Sequence, residues 1–111
     1  MTTTQTDAIA WMELHNDSRW RLKLAKLPPH MRAGVSRYVA FGEPVGGFLI
    51  AVFSNDLKGA FGAADNENLA AMAQWVGFIY WDIPADCQGS RAKVQAWQEQ
   101  GGLRGEKHGK E

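Results

Sequence analysis

Residues 66–83, NENLAAMAQWVGFIYWDI, constrain this chain more than any other stretch, because they read as one helix that is apolar on both sides. Asp65 in front is a helix-capping residue type, and Pro84 behind can neither continue a helix nor tolerate helical backbone well at the residue before it. Leu69, Met72, Ala73, Val76, Ile79 and Tyr80 share one stripe, the pattern of a core-facing surface. With Leu69 set at zero, a helical step of about 100° puts Trp81 at about 120°, Phe78 at about 180° and Trp75 at about 240°. Ala70, Ala71 and Gly77 lie around them, and only Gln74 and Asp82 interrupt that back face.

A helix apolar all round is either central in a larger body or covered by another chain. A chain of 111 residues has few helices with which to surround one. The expected arrangement therefore buries the stripe from Leu69 to Tyr80 and leaves Trp75, Phe78 and Trp81, with Ala71 beside them, as a protein-binding face. The competing arrangement makes this the central helix of the bundle, wrapped by the N-terminal segments.

The rest of the chain punctuates into further helices. Asp7 is placed to cap a first helix carrying Ile9, Trp11, Met12 and Leu14. WRLKLAKL is ambiguous between strand and helix, and it is assigned as helix because no second strand exists to pair with it. Pro28 and Pro29 break it and open the next helix, whose stripe is Met31, Val35, Tyr38 and Val39 and whose end is Gly42. A third long helix is expected from about residue 46 to residue 63, with Leu49, Phe53, Leu57, Ala60 and Ala64 in line. Ser90 caps a last helix with Val94 and Trp97 on one face, and Gly101 stops it. The expected fold is all-α, a small bundle of four to five helices over residues 7–100, assembled as a homodimer. Residues 1–6 and the Gly-rich segment 101–111 are expected to be disordered.

Twelve basic and twelve acidic residues cancel, so no global field draws the chain onto phosphate backbones, and nucleic acid is not an expected partner. The lone Cys87 cannot form an internal disulfide, and no run approaches the roughly 20 apolar residues that cross a bilayer. A cytoplasmic protein without a membrane partner is expected. His15, His30 and His108 lie far apart, so neither a metal site nor a cofactor is expected. Cys87 sits in a loop with no His nearby to activate it, and a cross-link between two copies is the livelier role for it than catalysis. Gly46, Gly47, Gly59 and Gly62 match no phosphate-loop pattern. Arg19, Arg21, Lys23 and Lys26 form a basic cluster that reads as a solvated face.

Asp56 falls at the edge of the apolar stripe of the expected third helix. A carboxylate there either accepts hydrogen bonds that fix packing or acts as a general base, and no second catalytic group stands at helical spacing beside it. The structural role is favoured, and Asn55, Asp56, Asp65 and Ser90 are all assigned such roles; no catalytic residue is expected.

The run GGFLIAVFSNDLKGAFGAADNENLAAMAQWVGFIYWDIPADCQGSRAKVQAW resembles a set of small proteins of phages, prophages and bacterial genomes. They share G-F-L-x-A-V-x-x-N-D-L-x-x-A-x-x-x-A-D, an aromatic-rich helix, then P-x-x-C-x-G-S and a closing Trp. The match covers roughly half of the chain and includes Asn55, Asp56, Leu57, Asp65, Cys87, Gly89, Ser90 and Trp97. Within that set the chain is similar to the QslA-like quorum-sensing anti-activators. That resemblance implies a dimeric helical protein that binds a LuxR-type transcription regulator such as LasR, blocks its dimerisation and so keeps it off DNA. Resemblance to the wider set alone implies an anti-defence protein that binds a host protein or sequesters a signalling nucleotide.

Overall fold

Capping residues, glycines and prolines cut the chain into short helices. The computed structural model describes residues 4–109, with side chains from residue 8 to residue 105. Among them there are helices and no strand: α1 (Thr4–His15), α2 (Trp20–Leu24), α3 (Arg32–Phe41), α4 (Gly47–Phe53), α5 (Leu57–Ala63), α6 (Asn66–Ala70), α7 (Met72–Asp82), α8 (Arg91–Gln100) and α9 (Gly102–Gly109), with single 3-10 turns at Pro29–Met31 and Ala85–Cys87. None of these helices is long and apolar enough to cross a membrane. The all-helical class is as expected, and the ambiguous segment that begins at Trp20 is helical.

The helices are shorter and more numerous than the sequence suggests. The expected single helix over residues 46–63 is two, because the chain turns at Ser54, Asn55 and Asp56. Asn55 takes a left-handed conformation at φ 66°, which asparagine tolerates better than most residues. Asp56 then starts α5 as its N-cap, accepting a hydrogen bond from Gly59 N–H at 2.9 Å. The expected helix over residues 66–83 is also divided, at Ala71, where φ −101° and ψ 17° interrupt the helical backbone between α6 and α7.

Both ends differ too. Helix α1 begins at Thr4, so Asp7 lies inside it and is not its cap, and the expected disordered segment 1–6 contributes its last three residues to that helix. At the other end, Gly102–Gly109 is helix α9 where a disordered tail was expected. Gly42 and Gly102 explain how it docks. Both have φ 70°, and their backbones approach so closely that a Cβ on Gly42 would lie 2.7 Å from the Gly102 nitrogen, and one on Gly102 2.5 Å from the Gly42 nitrogen. The guanidinium of Arg104 then sits 3.8 Å over the Phe41 ring. The disorder expected of residues 1–3, 110 and 111 falls outside the described residues.

Helix α1 lies along α3, α4 packs on α5, and α9 rests on α3 and α8. The core between them is built on rings: Tyr38 stacks on Phe53 with centroids 4.8 Å apart, Trp20 meets Phe78 at 5.7 Å, and Phe48 meets Trp75 edge-on at 5.3 Å. A buried indole needs an acceptor for its N–H. Each has one. Trp20 donates to Ser36 Oγ at 2.8 Å, Trp75 to Asn68 Oδ1 at 3.2 Å and Trp97 to the Tyr38 carbonyl at 3.0 Å. Tyr38 itself donates to the Cys87 carbonyl at 2.7 Å, which ties α3 to the loop before α8.

Candidate protein-binding face

Helices α6 and α7 have the two apolar sides expected from the sequence, but core and surface are largely exchanged. Trp75 and Phe78, assigned to a partner, are wholly buried and belong to the core. Leu69, Val76 and Tyr80, assigned to the core, are exposed at 43%, 57% and 71%. Met72 and Ile79 lie between the two conditions, as does Ala71. Trp81 is 75% exposed, the one member of the expected trio that faces solvent. Two large rings bury more apolar area than valine and leucine, and only the Trp75 side offers an acceptor, Asn68, to satisfy the indole. The competing arrangement named above, with the N-terminal segments covering this helix, is met on that side by Trp20 against Phe78.

The exposed side of α7 is not alone. Facing it across a groove of about 200 Å³ are Val52 at the end of α4 and Leu57 and Ala60 on α5, while Met72, Val76, Ile79 and Tyr80 form the α7 wall. Leu57 is 65% exposed, and Phe61, one turn further along α5, is 50% exposed. Tyr80, in the groove wall, meets Trp81 edge-on with centroids 4.6 Å apart. Three polar residues, Asn55, Asp56 and Gln88, also line the groove. They are held there by the turn at Asn55 and by Gly89, whose N–H donates to the Phe53 carbonyl at 2.7 Å and draws the Gln88 loop against the end of α4.

Sequence reasoning therefore missed Leu57, Phe61, Leu69, Val76 and Tyr80 as surface residues. One signal was present: Asn68 stands two helical turns before Trp75, a polar acceptor matched to an indole that is to be buried.

The residues assigned structural roles are at helix junctions. Asp56 caps its own α5 and does not lie within a longer helix's apolar stripe. Its carboxylate lies over Gly59, where an added Cβ would come within 2.3 Å of Oδ2. Asp65 caps α6, accepting from Asn68 N–H at 2.7 Å, and Ser90 caps α8, accepting from Lys93 N–H at 3.1 Å. His30 sits between Asp65 and Glu67, at 2.8 Å and 3.0 Å. The Asn68 N–H first, and His30 second, hold the Asp65 carboxyl below its ordinary value of 3.8. A carboxyl lowered on folding contributes stability that is full above the unfolded value and is lost as pH falls through the lower, folded value. The unfolding midpoint in urea should thus fall on acidification below pH 3.8, and Asp65→Asn, which keeps a cap but no charge, should flatten part of that fall. Superimposable pH profiles for the two proteins would refute the assignment.

Cys87 is wholly buried, and burial pushes its thiol up to about 12. A cross-link between two copies, which the sequence leaves open, is disfavoured in the folded protein because the sulfur is buried away from the surface. Iodoacetamide at pH 8 should leave native Cys87 unmodified and alkylate it fully in denaturant; rapid native labelling would contradict this burial.

The basic cluster of α2 and its flanks is largely neutralised in place. Arg21 pairs with Glu13 at 2.9 Å, Lys23 pairs with Asp17, and Lys26 reaches across to Asp82 on α7. Such pairs contribute little stability individually, but they leave this surface little free positive charge for an anionic ligand.

Comparison with protein families, with curated proteins and with solved structures finds no match to this chain.

Proposed function

We propose that this protein works without catalysis, by laying the exposed face of α5 and α7 over an apolar surface of another protein. The observation that carries the proposal is that Leu57, Val76 and Tyr80, 57–71% exposed, line one groove, with Trp81 against the Tyr80 ring and Phe61 one turn along α5 from Leu57. Isolated apolar residues on a surface need no explanation, but a patch with aromatic members and a pocket does. With about 150–250 Å² for each aromatic side chain and less for the aliphatic ones, these exposures amount to apolar area on the order of 600 Å². A standard interface buries about 800 Å² on each partner, so the patch is large enough to be the centre of one.

The resemblance to quorum-sensing anti-activators names the partner class: the dimerisation surface of a LuxR-type regulator such as LasR. Occupying that surface would hold the regulator as an inactive heterocomplex, off DNA, and needs no charge on the inhibitor. Mixing the protein with the ligand-binding domain of such a regulator, followed by size-exclusion chromatography with mass determination, should give a complex in place of the regulator dimer. Co-expression should silence a promoter reporter. A regulator that stays dimeric and active at saturating concentrations of this protein would overturn the partner assignment.

A further inference from the structure

The lining of the groove combines two chemistries. Val52, Leu57, Ala60, Met72, Val76 and Ile79 line its length, and Asp56 is the one formally charged residue in its lining. One oxygen of that carboxylate accepts from Gly59 N–H, and no other hydrogen bond to the carboxylate is made among the described residues. Asn55 and Gln88 flank it with further polar atoms. An occupant of this groove meets apolar walls and one carboxylate, that of Asp56.

We propose that the groove takes a two-turn apolar stripe of a partner's helix that closes on a lysine or arginine, with the basic head against Asp56. This rests on the protein-binding role proposed above and specifies the segment that would be bound. From Met72 to Tyr80 the α7 wall runs about 12 Å at the helical rise, which accommodates apolar side chains at i, i+3 or i+4, and i+7 on the incoming helix. A basic residue following them reaches Asp56 by its flexible stem, laying methylenes on Leu57 and placing its charge at the solvent edge. An acidic residue in that position meets a like charge.

The test uses the full-length, isotope-labelled protein and two helix-forming peptides that share one leucine stripe and differ only in the closing residue, lysine or glutamate. The lysine peptide should shift the signals of Val52, Met72, Val76 and Tyr80 and bind about fivefold more tightly than its twin, the scale of an exposed ion pair. Added salt should shrink that difference. Asp56→Asn keeps the helix cap and loses the charge, so it should bring the two peptides to about equal affinity with the fold unchanged. Equal binding of both peptides by the native protein overturns the basic end and leaves the docking face standing. No shift of groove signals by either peptide overturns the helix as occupant. Groove signals that change with protein concentration alone, and that neither peptide displaces, assign the groove to a second copy of this chain and overturn the proposal.

Discussion

Trp75→Ala should cost about 3–5 kcal/mol, the range for truncating a large aromatic in a packed core. The side chain is wholly buried, Phe48 packs edge-on against it, and its N–H satisfies the buried Asn68. Removing it opens a cavity and orphans an amide oxygen together, and both penalties fall on a domain whose whole stability is about 5–15 kcal/mol. Urea denaturation should show a midpoint lowered by a large fraction, with part of the population unfolded in water. Trp81→Ala, on the same helix and 75% exposed, should stay within about 0.5 kcal/mol of the native protein. Equal losses for the two would mean that the core and surface sides of α7 are placed wrongly.

Val76→Glu should do the reverse, sparing the fold and removing the binding. Val76 is 57% exposed in the middle of α7 and contributes to the groove wall. Glutamate is a better helix former than valine, so the denaturation curve should not move by more than about 0.5 kcal/mol. In a complex the same carboxylate would be buried against apolar surface without a partner. Loss of a central contact costs about 2 kcal/mol or more, so affinity for the target should drop by at least about thirtyfold. Titration calorimetry on the native and substituted proteins, at matched stability, checks it. Undiminished binding by Val76→Glu would remove this face from the proposed function, whatever the target proves to be.

The helical class and most junctions were legible in the sequence because they depend on local chemistry. Asp65 and Ser90 accept from the backbone three residues on, Gly42 and Gly101 adopt left-handed backbone at helix ends, and Pro28 and Pro84 stand at breaks. The orientation of α7 was not legible, because a helix apolar on both sides has no periodic signal to rank one side above the other. What decides it is nonlocal: Trp20 and Phe48 supply ring contacts on the Trp75 and Phe78 side, and neither is near in sequence. The break at Asn55 was missed for a different reason. Leu49, Phe53, Leu57 and Ala60 keep helical spacing across it, but Asp56 engages its own following backbone, a competitor that hydrophobic periodicity does not register. Docking of the last helix depends on two glycines sixty residues apart touching through their backbones, and glycines in a charged tail suggest looseness until the second one is seen.

The outward turn of Val76, Tyr80 and Trp81 has a colloidal consequence. A sequence isoelectric point of about 6.8 leaves the molecule without net repulsion near neutral pH, just where an apolar patch most needs it. Attraction between like molecules should be greatest there, and solubility should rise on either side as charge of one sign accumulates. A solution of the free protein is thus bounded in concentration by the surface that equips it to be bound.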